Sequence, residues 1–247
     1  VAKYGAGLFV GLALAAAGAT AANSGDAVSP AVVELFTSQG CSSCPPADEI
    51  LGQLATRPDL IALSLSVDYW DYLGWRDTLA DHAFTERQRA YAAARGDGQV
   101  YTPQVVINGM THAVGSRLAD IEKALATTSD QLGPWWSSVA LRMDGDDIVV
   151  DVGEAPSGVT IEDGRVLLAW TSKRVDVAIT KGENRGRTIT YHNVVRKLVE
   201  IGRWAGKAGS LRIPRREYMA TEIDGCVVLL QQGVAGPIVG AARLAGL

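Results

Sequence analysis

The rhythm of hydrophobic and polar positions changes near residue 128. Between residues 30 and 127, short apolar runs alternate with segments whose apolar residues recur at helical spacing. Residues 31–36, 60–67, 104–107 and 111–114 are runs rich in β-formers and predict strands. Residues 47–55 bring Ile50, Leu51 and Leu54 to one helical side, and residues 81–95 do the same with Ala83, Phe84, Ala90, Tyr91 and Ala94. Asn108-Gly109 joins the third and fourth strands as a two-residue hairpin turn. Ser116 stands where it can cap a last helix carrying Leu118, Ile121 and Leu125. The predicted order, β-α-β-α-β-β-α, is a sheet covered by helices and closed by an antiparallel hairpin.

Residues 128–136, with Ser129, Gly133 and Pro134 ahead of Trp135-Trp136, read as a linker. Beyond it strands are predicted at 138–143, 147–152, 165–170, 175–179, 188–198, 210–213, 226–231 and 238–242. Turns such as Asp144-Gly145 and Asp163-Gly164 separate them, so 137–247 is expected to be a smaller, mostly-β, sandwich-like domain. At the other end, Lys3 precedes an apolar run from residue 5 to 19, and Ala19-Thr20-Ala21 offers a small-x-small cleavage pattern. The run is short of the ~20 residues a spanning helix needs. The expectation is a signal peptide over 1–21 cut before Ala22, a linker over 22–29, and a bacterial protein that is periplasmic or secreted with no membrane span left after cleavage.

Composition narrows the function classes. The 247 residues are 47% hydrophobic and 20% charged with a formal net charge of -4, which lacks the basic footprint of a nucleic-acid binder. Export changes the reading of the cysteines, because outside the cytosol a close pair can persist as a disulfide. Cys41-Ser42-Ser43-Cys44 follows the first strand and the loop Thr37-Ser38-Gln39-Gly40, and precedes the first helix. Unpaired N–H groups at a helix N-terminus favour negative charge and lower a thiol pKa from its free value of roughly 8.5. Two intervening residues let the second thiol resolve a mixed disulfide formed by the first. Cys41 is then the nucleophile and Cys44 the resolving partner. Pro45-Pro46 suits only a first helical turn, so the helix is expected to start there, with the cysteines just ahead of it.

Other readings of the pair stay open. A structural disulfide fits an exported chain, and copper(I) favours soft thiolates. Zinc lacks two ligands, since Cys226 stands alone and the histidines are scattered at 82, 112 and 192. A pair between the first strand and helix of such a sheet is a thioredoxin-like arrangement, and Thr102-Pro103 opens the third strand where that fold holds a cis-proline facing the thiols, the alternative being an ordinary trans-proline at a strand start. The backbone at Thr102 would then bind the partner chain. The aromatic cluster Tyr69, Trp70, Tyr72 and Trp75 either lines a groove for an extended partner or seals an inserted segment against the sheet. Cys226, within an apolar strand, is expected to be a buried small hydrophobe, and residues 182–187 a solvated turn, with contact to a partner or to the first domain as the alternative.

Several longer strings carry a resemblance. Val32-Val33-Glu34-Leu35-Phe36-Thr37-Ser38-Gln39-Gly40 leads into Cys41-Ser42-Ser43-Cys44-Pro45-Pro46-Ala47-Asp48. Val67-Asp68-Tyr69-Trp70-Asp71-Tyr72-Leu73-Gly74-Trp75 and Tyr101-Thr102-Pro103-Gln104-Val105 follow. Gly182-Glu183-Asn184-Arg185-Gly186 and Tyr191-His192-Asn193-Val194-Val195-Arg196 extend it into the second half. Together they resemble a secreted bacterial family known as domain of unknown function 1223 and regarded as thioredoxin-like. The resemblance implies a thiol pair at Cys41 and Cys44 and the proline at Pro103, but no settled activity. The sequence departs from thioredoxin in its Ser-Ser spacer and in a longer segment between Cys44 and Pro103. The resulting expectation is thiol–disulfide exchange with a protein thiol or disulfide, needing no bound cofactor, in a direction the sequence leaves open. The rivals are a non-catalytic extracytoplasmic binding protein and a copper(I)-handling protein.

Overall fold

Alternation along each strand decides what covers the two faces of the sheet. The computed structural model describes residues 30–215 and 222–247, so the signal segment 1–21 and the linker 22–29 lie outside the described residues. The first half comprises β1 (Ala31–Thr37), α1 (Pro45–Leu54), β2 (Leu60–Ser66), α2 (His82–Arg95), β3 (Gln104–Ile107), β4 (Thr111–Val114) and α3 (Leu118–Leu132). β1 pairs β2 in parallel and β3 antiparallel, and β3 pairs β4 antiparallel. Asp81 starts α2 by accepting the Ala83 N–H at 2.9 Å. Asn108 and Gly109 both take positive φ, 51° and 68°, as a tight hairpin turn demands. A Cβ on Gly109 would run into the carbonyl of Gly236. Ser116 does not cap α3; the Arg117 N–H closes a turn on the Val114 carbonyl and leaves Arg117 at the N-cap without a side-chain bond.

The second half comprises β5 (Val139–Asp144), β6 (Asp147–Val152), β7 (Gly164–Ala178), β8 (Thr188–Trp204), β9 (Gly209–Pro214), β10 (Gly225–Gln232) and β11 (Ile238–Ala245). Two short strands expected at 165–170 and 175–179 are one, β7. The polar stretch Ser172-Lys173-Arg174 that suggests a break lies where β7 leaves β10 and continues as a ribbon with β8 alone. The segment 128–136 is mostly helical: α3 buries Thr128 and Leu132, and a 3₁₀ turn at Gly133–Trp135 follows.

The strands form two sheets, one of eight in the order β11-β10-β7-β8-β2-β1-β3-β4 and one of three in the order β5-β6-β9. The larger sheet therefore crosses the division read from sequence, through the parallel bridge of Ser64 with Val194. The separate second domain expected from 137 onward instead shares this sheet, because β8 buries its middle against β2. A sandwich-like layer is present all the same: Ile148, Val150 and Val152 of the small sheet pack on Val166, Leu168, Trp170, Val228 and Leu230. On the same side, α1 and α3 cover β1–β4 with Leu51, Leu54, Ile121 and Leu125 over Val33, Leu35, Ala62 and Val105. α2 lies on the opposite side, and its Phe84 and Tyr91 share a core with Phe36 and Leu65 and with Leu167 and Leu229 of the second half.

Beneath α2 sits a buried ion pair. Arg87 Nε donates to Glu34 Oε1 at 2.7 Å and Nη2 to Oε2 at 3.2 Å. The same guanidinium reaches the Tyr91 hydroxyl and the Gln231 side chain at 2.7 and 3.0 Å, tying β1, α2 and β10 together. Among the described residues no helix is long and apolar enough to cross a membrane.

Candidate functional site

Proline fixes where α1 can begin. Pro45 and Pro46 occupy its first turn, which puts Cys44 at the N-cap and Cys41 in the turn before it. Cys41 and Cys44 are joined as a disulfide with Cα atoms 5.4 Å apart. The Cys44 N–H donates to the Cys41 carbonyl, and the N–H groups of Ala47 and Asp48 donate to that of Cys44. Both sulfurs are enclosed, Cys41 being 1% and Cys44 0% exposed, while Ser42 and Ser43 face solvent. The preceding loop is pinned from the segment after β2: Asp77 Oδ2 accepts the Gln39 N–H at 2.8 Å, and Trp75 Nε1 donates to Gln39 Oε1 at 2.8 Å.

Of the other residues singled out from sequence, Trp70, Trp75, Thr102 and Pro103 adjoin this loop or the start of α1. The Thr102–Pro103 bond is cis. Pro103 is buried, and a Cβ built on Gly115 would touch Leu35, Ala47 and Pro103 together, so the proline ring adjoins the end of β1 and the start of α1. Trp70 Nε1 donates to Thr102 Oγ1 at 2.8 Å. Trp70 also backs Gly40, where a Cβ would stand 3.0 Å from its own Cβ. The Tyr69 hydroxyl donates to Gln88 Oε1 at 3.2 Å. Tyr69 and Trp70 are half-buried against the α2 side of the core, Trp75 packs on a cluster with Ile179 and Tyr191, and Tyr72 is 78% exposed. The aromatic cluster is thus divided between packing and surface.

Near the start of α1 are buried polar groups without a hydrogen-bond partner from the protein. Asp48 lies one helical turn beyond Cys44 on the same face of α1. It is 2% exposed and neither carboxylate oxygen has a hydrogen-bond partner. Burial pushes its carboxyl well above the usual range; the Thr37 hydroxyl is near enough to oppose this but lies outside bonding geometry, and Asp77 and Glu49 add to the rise. Asp77 itself is pushed up to about 6, because burial outweighs the N–H bonds it accepts from Gln39 and Leu79. The Tyr191 hydroxyl is also buried without a hydrogen-bond partner, and its pKa is raised by burial and then by Asp48 and Asp77. A cleft of about 430 Å³ lies between Pro45, Asp48 and Glu49 on α1 and the start of β8, with Arg187 and His192 on its far wall.

The second half reaches the site as well. Residues 182–187 are not simply a solvated turn, because the long β7–β8 ribbon carries them over the cysteine loop. Asn184 is fully buried, and its Nδ2 donates to the carbonyls of Gln39 and Cys41, both at 2.9 Å. The Ser42 N–H donates to Glu183 Oε2 at 3.3 Å.

The family described as protein of unknown function DUF1223 matches residues 32–231, a span that takes in every group just described. The chain belongs to the DUF1223 family. It is also similar to a crystal structure of a protein from Agrobacterium tumefaciens solved by a structural genomics consortium, with 35% identity over 88% of this chain and 94% of that one and a TM-score of 0.77. No curated protein matches the chain.

In this DUF1223 protein, Asp48 was open to detection from sequence: an acid on the stripe of Cys44, Ala47, Leu51 and Leu54 sits on a buried face. Tyr191, Glu183 and Asn184 carry no such local signal, since only the pairing of β7 with β8 brings them near Cys41. Cys226 is buried in β10, where burial pushes its thiol up to about 12. Among the described residues no three His, Cys, Asp or Glu side chains are grouped to hold a metal ion.

Proposed function

We propose that this DUF1223 chain carries out thiol–disulfide exchange outside the cytoplasm, on a thioredoxin-like first half, through Cys41 and Cys44. The observation that carries the reading is the disulfide at the start of α1 with the unpartnered Asp48 carboxyl one turn behind Cys44. The strand order β2-β1-β3-β4 and the Trp70–Thr102–Pro103 wall beside the loop support it, as does the apolar stretch 5–19 for the location. In the reduced protein the Cys41 thiolate attacks one sulfur of a partner disulfide, and the partner's other sulfur leaves as a thiolate. The Cys44 thiol then gives its proton to the Asp48 carboxylate and attacks the Cys41 sulfur, releasing the partner's second thiolate. The pair loses two electrons and the partner gains two. Run backwards, a partner thiolate opens the disulfide at Cys41, and Asp48 returns its proton to the departing Cys44. The cleft beside Asp48 supplies the route by which that proton exchanges with solvent. A group whose ionised form is disfavoured by burial, held next to a thiol, suits both directions. Direction is set by the relative stability of thiolate and disulfide.

Cys41→Ser is expected to abolish exchange with a model protein disulfide, followed by trapping of the mixed species; full activity in that variant would sink the mechanism. One observation favours a second reading, a binding protein whose disulfide only pins the loop: Cys41 is 1% exposed. Under that reading the unaltered chain shows no exchange at all.

A further inference from the structure

The ribbon formed by the far ends of β7 and β8 makes the second half of the chain part of the thiol site. Asn184 is fully buried although Glu183, Arg185, Gly186 and Arg187 around it are exposed. Its single amide nitrogen gathers the carbonyls of Gln39 and Cys41 from 145 and 143 residues away. Two carbonyls that flank Gly40 and converge on one donor fix the path of the chain through the loop, and with it the direction of the Cys41 side chain. The tip is held from behind, where Ile179 donates to Arg187, Gly186 donates to Ile179, and Gly182 rests beside Trp75. Next to Asn184, the Glu183 carboxylate accepts the Ser42 N–H. It thereby occupies a donor, and sets a like charge, where a thiolate forming on Cys41 needs the opposite.

We infer that Asn184 and Glu183 are positioning residues for Cys41, the first holding the disulfide loop in its closed form and the second disfavouring the thiolate. The purpose of the pair rests on the exchange reading, but its chemistry is testable without a protein substrate. Cys41 opens to a reductant when the tip lifts or when a partner replaces its bonds. The other charged groups nearby are Asp77, whose carboxylate accepts the Gln39 N–H, and Asp48 and Glu49 on α1, which line the cleft toward β8. Lys181, Arg185 and Arg187 flank Glu183 on the tip, so E183Q changes one charge against a constant background.

The test uses the full chain and a small reductant, dithiothreitol, with alkylation trapping of each cysteine. Cys226, 1% exposed in β10, serves as an internal reporter of global opening. N184A is expected to speed reduction of the disulfide about tenfold, the effect of losing two hydrogen bonds, while Cys226 stays protected. In reduced E183Q, an exposed substitution that leaves the core intact, Cys41 is expected to alkylate about two- to threefold faster at neutral pH, with its pH profile moved down. A wild-type reduction rate in N184A, or a faster rate matched by opening of Cys226, would overturn the role of Asn184. An unmoved pH profile in E183Q would overturn that of Glu183. Faster reduction in N184A alongside no exchange with protein disulfides in the unaltered chain would remove the exchange reading and leave the positioning intact.

Discussion

Of the three carboxylates buried in the first half of this protein, Glu34 and Asp48 are treated in opposite ways. Glu34, on β1, receives Arg87 through two nitrogens and the Tyr91 hydroxyl besides. Asp48, on α1, receives nothing. The first side chain is satisfied where helix and both halves of the sheet meet. The second is left costly within one turn of a disulfide. A buried charge with a full set of partners adds to a unique fold, whereas a buried acid without them is held by the rest of the structure and is free to move a proton. Under the exchange proposal, the contrast separates a group that builds this molecule from one that works in it.

Breaking the satisfied side of the comparison should have the largest effect. Arg87→Ala leaves Glu34 buried and unpaired, and chemical denaturation should show a loss of about 3–5 kcal/mol. A loss near zero would mean that the ion pair adds nothing to the fold and that the contrast with Asp48 is unreal. The unsatisfied side should respond with the opposite sign. Folding raises the pKa of Asp48, so its contribution to stability is fully present below the ordinary value of 3.8 and is lost as pH rises toward and through the folded value. D48N does not titrate. It should match the parent at low pH and be more stable by on the order of 1–3 kcal/mol near neutrality. The same variant should lengthen the life of the mixed disulfide with Cys41, because Cys44 loses its proton acceptor. Equal lifetimes would confine Asp48 to a structural oddity. A smaller change sharpens the picture at the rim: Trp70→Phe removes the bond to Thr102 and should cost about 0.5–1.5 kcal/mol. It should weaken exchange with a protein substrate more than reduction by a small thiol, since the ring stands beside the loop and not beneath it.

What was legible in the sequence follows the range of the forces involved. Strands and helices of the first half declare themselves because one apolar face repeats at one period, and Asn108-Gly109 because only positive φ suits that turn. The start of α1 follows from Pro45-Pro46. The shared sheet was hidden, since the parallel contact of β2 with β8 joins Ser64 to Val194 and leaves no mark on either local pattern. The polar run in β7 reads as a break for the same reason: a ribbon that has left its neighbour on one side needs no continuous apolar face. At the candidate site, the closeness of Cys41 and Cys44 ahead of α1 and the place of Thr102-Pro103 just before β3 were readable from type and order. Contact of the 182–187 loop with the first domain was open as an alternative, but the bonds of Asn184 and Glu183 to the cysteine loop were not readable, because a strand pair brings them across more than a hundred residues of chain.

The measurement that bears most directly on the central claim is the redox potential of the Cys41–Cys44 pair, by equilibration of the full chain in glutathione buffers and alkylation trapping. The account predicts a value within the ~-120 to -270 mV spanned by proteins that exchange disulfides, and the position in that span gives the direction of electron flow. A value below ~-300 mV would contradict it and mark the pair as a structural bridge.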